Sequence, residues 1–164
     1  MNRNAVLLAL CAISLVGCGS APLAASVCER PGTIAVAIES GPLLNPDEEG
    51  RALPTEIRLY RLRDANVFET VPFEAIWQDD VALGDALLGV DSLTLYPGES
   101  IADSIVPEAD AQVMVAMAVV RQPAGRTWRT IIDVGSLPCR ASAQVRLRVD
   151  EYRIERASVS TGED

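Results

Sequence analysis

The sequence predicts a mostly-β fold: a two-sheet sandwich carrying a small helical insertion and a long loop between its first two strands. Three observations carry that prediction. Seven or eight short segments alternate apolar and polar residues or run apolar, with Pro, Gly and Asn turn signals between them. One interval alone, Phe68 to Gly89, changes to helical spacing. Val113 to Val120 is apolar on both faces, as a central strand covered on both sides would be.

The elements follow in order. Thr33 to Glu39 is a strand with Ile34, Val36 and Ile38 on one face. Pro54 to Leu62 is the second, with Ile57 and Leu59 facing one way and Arg58 and Tyr60 the other. The connection between them, Ser40 to Leu53, is too long for a simple hairpin and contains an Asn-Pro-Asp turn signal. In the helical interval Phe73, Ile76 and Trp77 fall at i, i+3, i+4, and Leu83 and Leu87 at i, i+4. Thr70 is the expected N-cap, Pro72 fits a first turn, and Gly84 breaks the run into two short helices. This stripe is expected to pack against the sandwich. Leu93 to Tyr96 ends at a Pro97-Gly98 turn, and Ser100 to Val106 follows, bounded by Pro107. Trp128 to Val134, with Trp128 inward, precedes Gln144 to Asp150 and Tyr152 to Ala157.

The N-terminus reads as a leader rather than a single-span anchor. Arg3 supplies one positive charge, and Ala5 to Val16 is an apolar stretch broken only by Ser14. It is too short to span a bilayer, which needs about 20 apolar residues, and has the length of a signal-peptide core. Leu15-Val16-Gly17-Cys18 then resembles a bacterial lipobox, which implies cleavage before Cys18 and lipidation of its sulfur. Gly19 after the Cys favours the outer membrane, periplasmic side. The organisation expected is a cleaved signal peptide over residues 1–17, a lipidated tether over 18–32, the sandwich over 33–158 and a polar tail over 159–164.

Removing the leader leaves 147 of the 164 residues, enough for one domain with a core. The net charge of −9 becomes −10 without Arg3, which argues against nucleic acid and against polybasic binding to anionic lipid. There is no His, and every basic residue is Arg. Ser-His-Asp and Cys-His catalysis and Lys Schiff-base chemistry are therefore excluded, and no catalytic residue is assigned. Cys11 leaves with the leader and Cys18 is committed to lipid. Cys28 and Cys139 remain, an even pair in an oxidising compartment that favours a disulfide over two free thiols.

The long loop is where function is expected. Leu43-Leu44 places two large apolar residues ahead of a tight turn, either exposed for binding or folded back on the sheet edge. Asn45, Asp47, Glu49, Gly50 and Glu56 nearly fit an EF-hand calcium pattern. The fit fails on ligand identity, on Pro46 and on the flanking strands, so a solvated acidic loop is the better reading and no metal is assigned. Asp79-Asp80 are adjacent on a helix and do not face one another.

Together these stretches resemble the TssJ (SciN) family of type VI secretion lipoproteins. The resemblance is carried by the lipobox ending in Cys18, the Leu44-Asn45-Pro46-Asp47 to Gly50-Arg51 loop, and Pro54-Thr55-Glu56-Ile57-Arg58-Leu59-Tyr60-Arg61-Leu62 running into Phe68. Leu83-Gly84, Pro97-Gly98 and the apolar strand before Trp128-Arg129 complete it. It implies a transthyretin-like sandwich with a protruding loop, no enzymatic activity, and diacylglycerol and N-acyl lipid on Cys18 in place of any cofactor. It also implies binding to the periplasmic domain of TssM, within a complex that includes TssL. The first inter-strand loop, Pro42 to Leu53, would make that contact, with Leu43, Leu44, Asn45, Pro46 and Asp47 at its tip. The alternative is a periplasm-facing module for carbohydrate or an envelope component, which would ordinarily show more aromatic residues than the 4% present.

Overall fold

In the computed structural model, which describes residues 32–137 and 142–162, eight strands form two four-stranded sheets. They are β1 (Ile34–Ser40), β2 (Thr55–Leu62), β3 (Leu87–Leu95), β4 (Ser100–Ile105), β5 (Val113–Ala118), β6 (Arg129–Asp133), β7 (Ser142–Asp150) and β8 (Arg153–Gly162). The strand orders are β4-β1-β7-β8 and β3-β2-β5-β6. The β1–β7 pair is parallel, with Ile34 opposite Ala143, and every other pair is antiparallel. Helices α1 (Asn66–Thr70) and α2 (Phe73–Gln78) and a 3-10 segment, Asp80–Ala86, lie between β2 and β3. The sandwich expected from the sequence is the fold.

The two sheets are buried differently. In the first, Ile34, Val36 and Ile38 of β1 and Val145, Leu147 and Val149 of β7 enter the core, while Gln144, Arg146 and Arg148 face solvent. In the second, both faces are covered. Ile57 and Leu59 of β2 and Met114, Ala116 and Ala118 of β5 join the inter-sheet core. Tyr60, Leu62, Val115 and Met117 point the other way, into a second cluster closed by Phe68, Phe73, Ile76 and Leu83 of the helical arm. That is why β5 lacks polar alternation.

Four expectations are corrected. Thr70 is not an N-cap: it closes α1, and extended Pro72 (φ −70°, ψ 156°) precedes α2. The helical interval ends earlier than expected, because Leu87 to Gly89 pair with Leu62 and Arg61 as the start of β3. Gly84 does break the 3-10 segment, at φ 53° and ψ −142°. Trp77 is 49% exposed, not packed inward with Phe73 and Ile76. The polar residues from Ser158 to Gly162 are strand, paired with Arg146 to Ser142 beyond a register shift at Arg146/Leu147. Ser158, Ser160 and Thr161 face solvent and so does Val159, so no buried apolar period marks the segment. Cys18, Cys28 and Cys139, with the leader and most of the tether, lie outside the described residues.

The strand directions gather the connections 41–54, 96–99, 119–128 and 151–152 at one end of the sandwich. β1 starts at the opposite end.

Candidate partner-binding surface

The loop between β1 and β2 is built from its own backbone and a few polar side chains. It leaves β1 at Gly41, whose N–H donates to the Val149 carbonyl at 2.7 Å. A Cβ at Gly41 would meet the Asp150 carboxylate, which would have to swing aside to make room. Leu44 turns fully into the inter-sheet core. Asn45 follows with φ 44°, a left-handed conformation Asn tolerates better than most residues. Its backbone N–H donates to the Glu151 carbonyl (2.7 Å) and its Nδ2 to Thr55 Oγ1 (2.9 Å), while its Oδ1 accepts from the Arg121 N–H (2.8 Å). Thr55 Oγ1 in turn donates to the Val119 carbonyl at 2.7 Å. The Tyr152 hydroxyl donates to the Pro46 carbonyl at 2.9 Å.

Asp47 closes the far turn. Its Oδ1 accepts from the backbone N–H of Glu49 and Arg51 (3.1 and 2.8 Å), and its Oδ2 from Arg51 Nε at 2.7 Å. Desolvation pushes this carboxyl up, but the Arg51 hydrogen bonds and charge outweigh it and hold the carboxyl below its ordinary value. Gly50, at φ 78°, completes the turn by donating to the Asp47 carbonyl at 3.1 Å.

Of the five residues expected at the tip, Leu43 alone is exposed, at 48%. Leu44 and Asn45 are buried, and Pro46 and Asp47 are half-buried. Leu44 and Asn45 therefore shape the loop from beneath, and the outward residues are Pro42, Leu43, Glu48, Glu49, Gly50 and Arg51. The residues of the near-calcium pattern do not converge. Asn45 is occupied with Thr55 and Arg121, Asp47 with Arg51, and Glu56 with Arg58.

Beside this loop runs a groove of about 400 Å³ between α2 and the 119–123 connection. Its lining is mainly apolar: Phe73, Trp77, Val119, Val120 and Pro123, with Glu74 and Arg121 as its charged groups. The Trp77 ring stacks on Phe73, with centroids 6.4 Å apart and planes at 26°. Beneath it Arg58 secures the end of α2. Its Nη1 reaches the Ile76 and Trp77 carbonyls at 3.4 Å, where a cation complements the helix terminus. Burial works against the Arg58 charge, but hydrogen bonds to Glu56 (2.9 Å) and Tyr60 (3.3 Å) prevail and raise its pKa. Burial likewise pushes the Tyr60 hydroxyl up, and that hydroxyl donates to Asp80 at 2.8 Å.

Sequence reasoning missed this groove. Trp77 sits at the margin of the helical stripe, about 100° around the helix from Ile76, which is the only signal of its exposure. Nothing local marks Arg121, whose position depends on Asn45, 76 residues away in sequence.

The arrangement has no nucleophile beside a base, and among the described residues no three metal-ligating side chains converge. What it presents is one exposed leucine on a fixed acidic loop, an apolar groove and an arginine, which is the chemistry of docking.

Residues 32–152 match the family described as type VI secretion lipoprotein, VasD, EvfM, TssJ. No curated protein matches the chain. Among solved structures it is similar to the type VI secretion lipoprotein TssJ1 from Pseudomonas aeruginosa, with a TM-score of 0.70 and 22% identity, over 82% of this chain and 98% of that one. Serratia marcescens Lip, described as a membrane bound component of the type VI secretion system, gives 0.70 at 18% identity, over 78% and 99%. A chain in the structure described as the TssM C-terminal domain from EAEC gives 0.66 at 19% identity, over 77% and 98%. At these identities the likeness shows a shared fold.

Proposed function

The chain belongs to the type VI secretion lipoprotein family that includes TssJ, and we propose that it acts there as a non-enzymatic docking subunit for the periplasmic domain of TssM. In this reading Cys18 carries the acyl chains that hold the protein in the outer membrane, on its periplasmic side. The sandwich presents the β1–β2 loop to TssM, within an assembly that includes TssL. More than one acyl chain is needed for stable anchoring, which three-chain lipidation of Cys18 would meet.

The observation that carries the proposal is the construction of the loop. Leu44, Asn45, Pro46 and Asp47 are each bound to the body of the sandwich or to the loop itself, so Leu43 and the acidic residues Glu48 and Glu49 stand in a fixed orientation. A loop ordered before binding loses little conformational entropy on docking. A solved structure of similar fold, described by its TssM domain, supports the choice of partner.

The test is calorimetric titration of the full chain, purified in detergent, with the periplasmic domain of TssM from the same organism. Micromolar or tighter binding is expected, weakened at least about tenfold by Leu43→Asp with no change in unfolding temperature. Leu44 is unsuitable as a probe, because a charge there would disrupt the core. No binding by the unmodified chain would defeat the proposal. Binding indifferent to Leu43→Asp would keep the partner and remove the loop.

A further inference from the structure

We infer that the groove between Trp77 and Pro123 is a second part of the same docking surface. It takes a short extended segment of the partner that the loop engages, with an apolar side chain on Trp77 and a neighbouring carboxylate on Arg121. This rests on the docking role proposed above and extends it to residues outside the loop.

The first argument is continuity. The Asn45 amide holds the Arg121 backbone at 2.8 Å and, through Thr55, the Val119 carbonyl. The Val119 N–H is fixed in turn to the Glu56 carbonyl at 2.9 Å. The same side chain that shapes the loop therefore sets the wall of the groove, and a partner seated on Leu43 meets that wall next.

The second argument is chemistry. Trp77 is half exposed although its helix has buried positions, and its ring is held by Phe73 while Arg58 fixes the backbone beneath. A large aromatic side chain with little freedom left to lose is what binding energy concentrates on. Arg121, exposed at the lip, takes part in none of the ion pairs among the described residues. The neighbouring loop, by contrast, presents Glu48 and Glu49 outward. The loop is thus acidic, whereas the groove carries one charge of each sign, Glu74 and Arg121, and only its Arg121 end suits a carboxylate of the partner.

The experiment compares Trp77→Ala, Arg121→Glu and Leu43→Asp in the full chain, each titrated with the TssM periplasmic domain, with hydrogen exchange followed over 73–78 and 119–123. Trp77→Ala is expected to weaken binding about 10- to 100-fold, chiefly through faster dissociation. Arg121→Glu, which removes no packing, is expected to weaken it by a smaller factor. Both segments should gain protection in the complex. If Leu43→Asp weakens binding while Trp77→Ala and Arg121→Glu do not, the groove is overturned and the loop stands. If the unmodified chain does not bind, the docking role falls and the groove with it. Loss of self-association in Trp77→Ala with unchanged TssM affinity would assign the groove to a second copy and also overturn the inference.

Discussion

The β1–β2 loop and the helical arm both border the groove, but different forces hold them. The arm is held by volume. Phe68, Phe73, Ile76 and Leu83 fill a cluster with Tyr60 and Met117, and the Tyr60–Phe68 and Phe73–Trp128 rings meet at 5.2 and 5.1 Å. The loop is held by one buried leucine and a chain of directional bonds through Asn45, Asp47 and Tyr152. Packing of the first kind tolerates exchange of similar shapes, whereas bonds of the second kind fail with the loss of one atom. The arm can therefore drift in sequence while keeping its place. The loop's geometry depends on particular side chains.

Substitutions can break that contrast or sharpen it. The largest effect is expected from Phe68→Ala, which empties the centre of the arm's cluster and should cost about 3–5 kcal/mol in urea unfolding. A cost below that of an ordinary surface change would mean the arm is not held by packing. Asn45→Ala comes next. It leaves the Arg121 N–H without its acceptor and removes a donor to Thr55, and should cost about 1–3 kcal/mol. Its diagnostic reading is amide exchange, accelerated at 45–53 and 119–121 with the arm unaffected.

The smallest effect belongs to Asp47. Its folded pKa lies below its unfolded one, so its contribution is fully present above the ordinary carboxylate value and is lost as pH falls through the lowered one. Protection against exchange in the 47–51 turn, taken relative to the intrinsic rate at each pH, should be flat from pH 7 to 5 and fall only below about pH 4. Asp47→Asn should abolish that pH step. A transition near neutrality would show that another group controls the turn.

How much of this was legible follows from the same contrast. β1 and β7 announce themselves because one face meets water and one meets the core, so Ile34-Val36-Ile38 and Val145-Leu147-Val149 read directly as strands. β5 reads as a strand covered on both faces for the complementary reason. The helical spacing of Phe73 and Ile76 located the arm, but Leu83 and Leu87 share an i, i+4 interval across a backbone that changes to strand at Leu87. Leu43 and Leu44 were indistinguishable in sequence. Their fates separate only because Asn45 and Gly41 fix the loop against β7 and the turn that follows it, contacts made more than 100 residues along the chain. Arg121 and Trp77 were silent for that reason too: what makes them a surface is tertiary.

The direction of β1 has a mechanical consequence. Its first residue lies at the end away from the loop, and its last leads within three residues to Leu43. Tension between an N-terminal attachment and a partner held at Leu43 would run along this one strand, already extended at about 3.3 Å per residue. An extended strand has almost no slack to release, so the load is borne by covalent backbone, with the bonds to β4 and β7 keeping the strand straight. The domain transmits such a pull as a taut cord, without having to unfold first.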